Sequence, residues 1–185
     1  MFYHASNVGD LKVLKPHVSN HGEPLVYFSS KRENVLVYLC NAVEKYIYEK
    51  YGRPMKIYEK WASYGITDDG RVRIEEYYPN ATKETFEGVS GYIYSVDNLD
   101  NAKPLRGIKD AFVISHQVEI DGSEFVQDVY AEMLKAESEG KIVIERFEDI
   151  TQQKKEWIKK TIRNEYKSTD NDDYKEFLSA KFDFL

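Results

Sequence analysis

The sequence predicts an α+β fold, because strand-like and helix-like periodicities occupy different parts of the chain. The middle of the chain alternates polar and apolar residues, whereas its last 35 or so residues have helical spacing. With 185 residues, 42% hydrophobic and 14% aromatic, the chain is long enough to bury a substantial core. We therefore expect one folded domain over residues 1–150 and a helical C-terminal extension over residues 151–185 that packs on it.

Two strands separated by a polar loop open the chain. The first lies around Met1–Ser6, and the second, Leu25–Ser29, is a short apolar run that ends in a hydroxyl residue. Pro16 and the segment Gly22-Glu23-Pro24 have the composition of a loop and lie between the two strands. We expect both strands to belong to the domain core.

A run of apolar residues after the second strand predicts one amphipathic helix from Ser30 to about Tyr51. Its helically spaced residues are Val35, Leu36, Leu39, Val43 and Ile47. Ser30 and Glu33 have the spacing of a capping box, in which the serine oxygen accepts from a free helix N–H and the glutamate reaches back. Gly52-Arg53-Pro54 supplies the stop signal.

The central region is predicted to be mostly β. Five segments have the alternation or the β-branched composition of strands: Lys56–Trp61, Arg71–Tyr78, Tyr92–Val96, Ala111–Ser115 and Gln117–Ile120. Asp68-Asp69-Gly70 predicts a turn between the first two.

The C-terminal third is predicted to be mainly helical. A helix from about Ser123 to Glu139 carries an apolar face and ends at Gly140, where glycine can adopt a left-handed cap. Ile142-Val143-Ile144 predicts a short buried strand. The helical spacing of the remaining residues is interrupted by the polar segment Ser168–Asp173.

Composition narrows the classes of function. The net charge of −6 lacks the excess of lysine and arginine that would neutralise phosphates, so general nucleic-acid binding is not expected. Cys40 is the only cysteine, so the chain has no internal disulfide, and a reducing compartment is favoured. Neither a signal-peptide pattern nor an apolar stretch of membrane-spanning length is found, and we expect a cytoplasmic protein with no membrane partner.

A candidate ligand site lies where the second strand ends. Tyr27-Phe28-Ser29-Ser30 brings aromatic rings, two hydroxyls and free backbone donors to one strand-to-helix junction. Such junctions hold ligands that combine planar and polar parts. We therefore expect a nucleotide-like ligand there.

Three separated segments resemble motifs of the ADP-ribosyltransferases, specifically the diphtheria-toxin and poly(ADP-ribose) polymerase class with its His, Tyr, acid pattern. Tyr3-His4-Ala5-Ser6 resembles the first motif, whose histidine binds the adenosine ribose of NAD; Ala5 stands where glycine is commoner. Tyr27-Phe28-Ser29-Ser30, followed by Tyr38, resembles the second motif. In that motif the strand tyrosine stacks on nicotinamide, and the following helix often carries another tyrosine.

The third motif of that family is an acid at the head of a strand, followed by an aromatic and β-branched residues. Asp110-Ala111-Phe112-Val113-Ile114 is its best counterpart in this chain. Aspartate replaces the usual glutamate and the aromatic comes one position late, so Glu119 is a second candidate acid. The likeness spans roughly residues 1–120.

The resemblance implies a split β-sandwich with flanking helices, formed by residues 1–150. It implies binding of NAD, with no metal, and transfer of ADP-ribose to a protein or small-molecule acceptor. A carboxylate beside the ribose would stabilise the positive charge that develops as the bond to nicotinamide breaks. The alternative is a non-catalytic module of the same fold that binds a different nucleotide or a protein segment.

Overall fold

The computed structural model describes residues 1–18 and 22–185, which form a mixed α and β structure with several sheets and five α-helices. The strands are β1 (Phe2–Ser6), β2 (Val13–Leu14), β3 (His17–Val18), β4 (Pro24–Ser29), β5 (Tyr64–Ile66), β6 (Val72–Glu75), β7 (Gly91–Val96), β8 (Lys103–Pro104), β9 (Ala111–Ile114), β10 (Val118–Glu119), β11 (Gly122–Val126) and β12 (Val143–Glu145). The α-helices are α1 (Ala42–Tyr51), α2 (Ala81–Phe86), α3 (Val129–Ser138), α4 (Gln152–Ser168) and α5 (Asp172–Lys181), and a 3₁₀ helix spans Arg32–Tyr38.

The main sheet is open and has the strand order β11-β7-β1-β4-β9-β8, with β3 paired to the start of β4. Its pairs are antiparallel, and β1 pairs with β7 along its whole length. In contrast, β1 pairs with β4 at one position, Tyr3 opposite Ser29. The main sheet is therefore loosely joined at its centre, between β1 and β4.

Two smaller sheets complete the β structure. In one, β6 lies between β5, which is antiparallel to it, and β12, which is parallel. In the other, β2 and β10 form a two-stranded ribbon.

The two faces of the main sheet bury different cores, as strand alternation requires. On one face Ala5 and Ile93 pack with residues of the 3₁₀ helix, α3 and the three-stranded sheet. On the other face Val26 and Phe28 pack against residues of the β2–β10 ribbon, including Leu14. The 3₁₀ helix and the ribbon thus lie on opposite sides of the sheet.

A third core contains the C-terminal helices. Ile158 and Ile162 of α4 and Phe177 of α5 are buried together with Val43 of α1 and with Trp61. Residues 151–185 therefore share their apolar core with helices from the first part of the chain.

The expected long helix from Ser30 to Tyr51 is wrong, because the segment forms a 3₁₀ helix and then α1. Val35, Leu36 and Val37 are consecutive and all buried, whereas an amphipathic α-helix would expose part of such a run. The Ser30–Glu33 capping box is also wrong. The Ser30 hydroxyl donates to Asp110, and Glu33 pairs with Lys141 instead.

Two further boundaries differ from the sequence prediction. The predicted strand Lys56–Trp61 is a loop, and the partner of β6 is β5 instead. The predicted helix from Ser123 begins only at Val129, because the preceding residues form β11 and supply the edge pairing of β7. Asp128 caps this helix, its side chain accepting from the backbone N–H of Ala131.

The strands predicted near the two candidate motifs are confirmed, as β1 and β4. The turn at Gly70 and the left-handed cap at Gly140 are confirmed as well, with φ of 80° and 70°. In residues 1–18 and 22–185, no helix combines the length and the apolar character needed to cross a membrane.

Candidate functional site

His4 lies at the loosely joined centre of the main sheet. Its Nδ1 is 2.9 Å from the backbone carbonyl oxygen of Tyr27 on β4. Its ring also lies against Phe28, at 5.9 Å between ring centroids. The His4 side chain thus links β1 to β4 just beyond their single backbone pairing, and it brings two of the predicted site residues into direct contact.

The environment of His4 fixes its hydrogen-bonding character. A carbonyl oxygen can only accept, so Nδ1 carries the proton and donates it to Tyr27. Burial lowers the pKa of His4; the bond to Tyr27 opposes this effect, and the charge of Lys60 adds to it. At neutral pH the ring is therefore uncharged, and its Nε2 can accept a hydrogen bond from a hydroxyl.

The 3₁₀ helix brings a second tyrosine towards this region. Tyr38, at the end of that helix, is 41% exposed. Tyr27 is half-buried and lies, by strand alternation, on the sheet face opposite Phe28. That face is the one against which the 3₁₀ helix packs, so both tyrosines belong to the same side of the sheet.

Two residues that sequence reasoning missed hold Tyr38. The ammonium of Lys60 donates to the backbone carbonyl of Tyr38 at 2.8 Å. The ring of Tyr64, on β5, meets the ring of Tyr38 edge-on, at 5.8 Å between centroids. Sequence carried no signal for either residue, because both contacts join segments more than 20 positions apart.

Asp110 lies at the strand-to-helix junction, but its carboxylate already has partners. It accepts from the hydroxyl of Ser30 at 3.2 Å and pairs with the ammonium of Lys31, also at 3.2 Å. Its carbonyl accepts from the backbone N–H of Ser30, and its φ is 62°, a left-handed conformation that aspartate tolerates better than most residues. These contacts are those of a turn that joins β9 to the end of β4.

Asp110 and Tyr27 lie far apart along the sheet. Val113 is the residue opposite Tyr27, and Asp110 precedes Val113 by three positions. At about 3.3 Å per residue, this amounts to about 10 Å. Ala111 follows Asp110 and is the first residue of β9. It lies opposite Ser29, and its methyl side chain can neither donate nor accept a hydrogen bond.

Glu119 lies on β10, opposite Val13 in the two-stranded ribbon, and is exposed. The ribbon packs on the sheet face opposite the 3₁₀ helix. The structure therefore does not bring Glu119 together with Tyr27 and Tyr38.

The remaining predicted site residues have structural contacts. Ala5 and Phe28 are buried, and Tyr3 packs against the core under the 3₁₀ helix. The Ser29 hydroxyl accepts from the backbone N–H of Lys31, and the Ser6 hydroxyl accepts from that of Val8. Their hydroxyls thus support local turns at the ends of β4 and β1.

A separate cavity of about 410 Å³ lies between Thr67-Asp68 and the loop 105–109. None of the predicted site residues lines it. Within the described ranges, no group of three or more His, Cys, Asp or Glu side chains is arranged to hold a metal ion.

Comparisons with protein-family models, with curated proteins and with solved structures found no match to this chain.

Proposed function

We propose that this chain binds NAD or a related nucleotide in a cleft of an ADP-ribosyltransferase-like split β-sandwich. The proposed cleft lies at the β1–β4 boundary, where His4, on the Phe28 side of the sheet, reaches the Tyr27 carbonyl, and it includes Tyr27 and Tyr38 on the 3₁₀-helix side. The observation that carries the proposal is the bond from His4 to the Tyr27 carbonyl, which unites the first and second motifs at the centre of the sheet.

The main sheet supports this fold assignment. A split β-sandwich needs a sheet whose halves can separate, and β1 and β4 are paired at one position here, whereas β1 pairs with β7 at five positions and β4 with β9 at four. His4 and Tyr27 lie on the two strands at that boundary, and Tyr38 lies on the 3₁₀ helix that follows β4. The proposed cleft therefore coincides with the weakest joint of the sheet.

The chemistry of the side chains suits a nucleoside. Neutral His4 has an Nε2 that can accept from a ribose hydroxyl, while its Nδ1 is held by Tyr27. The exposed ring of Tyr38 offers a planar surface on which nicotinamide or adenine can stack. These two side chains can bind a ribose and an aromatic base, and neither contact requires a metal ion.

The test is a titration of the intact protein with NAD by calorimetry, beside the variants His4→Asn and Tyr27→Ala. Asparagine can still donate to the Tyr27 carbonyl but lacks Nε2, so we expect affinity to fall by about tenfold, the worth of one hydrogen bond. Tyr27→Ala should weaken binding by a similar factor, because it removes a stacking surface.

Matched controls are His116→Asn and Tyr48→Ala, two exposed positions outside the proposed cleft. Both should keep the affinity of the intact protein. An intact protein that does not bind NAD would refute the proposal, and unchanged affinity in both cleft variants would move the site elsewhere.

Transfer of ADP-ribose is the second candidate function, and the presence of Asp110 at the Ser30 junction favours it. The ion pair with Lys31 argues against it, because a carboxylate whose charge is already compensated stabilises a developing positive charge less. We therefore expect the intact protein to bind NAD without releasing nicotinamide.

Nicotinamide release, followed by chromatography, separates the binding and transfer hypotheses. Release that disappears in Asp110→Asn but persists in Glu119→Gln would establish the catalytic alternative and assign its acid. Release that disappears only in Glu119→Gln would assign Glu119 instead.

A further inference from the structure

Lys60 lies in the loop between α1 and β5 and is exposed. Its ammonium donates to the carbonyl of Tyr38 at 2.8 Å. Throughout residues 1–18 and 22–185, no carboxylate forms an ion pair with it, whereas Lys31, Lys50 and Lys154 all have acidic partners. An ammonium has three N–H donors, so two of those of Lys60 remain for a ligand.

The ammonium of Lys60 contacts a residue of the proposed cleft. Tyr38, whose carbonyl it holds, is the exposed aromatic residue of that cleft. The charge of Lys60 also reaches His4, where it helps to keep the ring neutral. A single cation thus acts on residues from both sides of the cleft, one from the 3₁₀ helix and one from β1.

Lys31 lies at the strand-to-helix junction, where its ammonium pairs with Asp110 and donates to the carbonyl of Asp69. Its charge is therefore compensated, while that of Lys60 is not. An anionic group that enters the cleft would gain most from contact with Lys60.

We propose that Lys60 is the anion-binding residue of the cleft and holds the pyrophosphate of the nucleotide. This inference rests on the proposed function and deepens it, because it identifies the preferred ligands as nucleoside diphosphates. A cation here would also oppose positive charge on a bound ribose, so the same residue favours holding the nucleotide over cleaving it.

The experiment measures the affinities of NAD and ADP-ribose for the intact protein, Lys60→Gln and Lys60→Arg. Loss of one charge-assisted hydrogen bond at an exposed site should weaken both ligands by about tenfold in Lys60→Gln. Arginine keeps the charge and should restore most of the affinity. The difference between intact protein and Lys60→Gln should shrink at high salt, because screening weakens a solvent-exposed ionic contact.

Lys45→Gln is the matched control. Lys45 is half-buried and also donates to a backbone carbonyl, that of Glu87, but it lies on α1 and not in the loop that holds Lys60. Its loss changes the net charge equally and should leave both affinities unchanged.

The outcomes separate this inference from the proposed function. If the intact protein binds NAD and Lys60→Gln binds it equally well, the role of Lys60 is refuted and the nucleotide site stands. If Lys45→Gln weakens binding as much as Lys60→Gln, the effect is one of net charge, and the role of Lys60 is again refuted. If the intact protein binds neither NAD nor ADP-ribose, the proposed function fails, and the inference fails with it.

Discussion

Replacing Phe177 by alanine should lower the free energy of unfolding by about 3–5 kcal/mol, the usual cost of deleting a buried aromatic side chain. Phe177 is 1% exposed, and its ring lies 5.7 Å from that of Trp61 and 5.8 Å from that of Tyr46. The substitution would leave a cavity between α5, α1 and the loop that contains Trp61.

The unfolding curve of Phe177→Ala also tests whether the C-terminal helices unfold together with the rest of the chain. Because α5 shares its core with α1, we expect one cooperative transition whose midpoint falls by about 10 °C. If residues 151–185 were an appendage, Phe177→Ala would melt them separately and leave the main transition unchanged. Circular dichroism and tryptophan fluorescence would then give two different midpoints.

Phe125→Ala is a matched control, since it removes the same side chain at a position that is 55% exposed. Its ring contacts Tyr92, so a small loss of about 1 kcal/mol is expected. A loss as large as that of Phe177→Ala would contradict the assignment of the main cost to core burial.

Replacing Asn34 by alanine should lower the free energy of unfolding by about 2–4 kcal/mol, because it leaves two backbone groups without partners. The Asn34 side chain is buried, donates to the carbonyl of Gly70 and accepts from the N–H of Val72, both at 2.8 Å. It is thus the polar link between the 3₁₀ helix and the hairpin formed by β5 and β6.

The same substitution should also affect the proposed cleft. Tyr38 ends the 3₁₀ helix that Asn34 anchors, and Tyr64 on β5 contacts the ring of Tyr38. Loosening the link should therefore weaken NAD binding even though Asn34 is buried. Chemical denaturation measures the stability, and calorimetry measures the affinity.

Asn34→Asp and Asn7→Ala sharpen this test. Aspartate keeps the acceptor for Val72 but loses the donor to Gly70, so we expect a loss of stability as well. Asn7 is exposed and makes one long hydrogen bond, so its removal should cost less than about 0.5 kcal/mol. Equal stability of Asn34→Ala and Asn7→Ala would refute the role of Asn34.

The strands near the candidate motifs could be predicted because their signals are local. Leu25–Ser29 is a short apolar run after a loop, and it forms the greater part of β4. The helix after it was predicted with the wrong type and length, because spacing alone does not reveal that Val35, Leu36 and Val37 are enclosed on all sides. The β11 segment was missed for a related reason, since the open edge of β7 decides its conformation.

For the candidate site, too, the sequence indicated the residues, and the tertiary structure set their contacts. The resemblance to the ADP-ribosyltransferase motifs pointed to His4 and Tyr27 on strands, Tyr38 on the following helix and Asp110 at the head of a strand. Tertiary structure decided that His4 meets the Tyr27 carbonyl and that Asp110 pairs with Lys31, contacts between residues 23 and 79 positions apart. It also added Lys60, whose position gave no sequence signal.

The sequence by itself determined the residue types of the Tyr27–Ser30 junction, the strand that leads into it and the mixed α and β character of the chain. Only the tertiary structure decided which groups there are engaged by other segments of the chain. The physical reason is that hydrogen bonds and ion pairs to distant segments set the charge and the free donors of each side chain. Asp110 has its charge compensated by such contacts and His4 donates through Nδ1 to Tyr27, whereas no carboxylate within residues 1–18 and 22–185 pairs with Lys60.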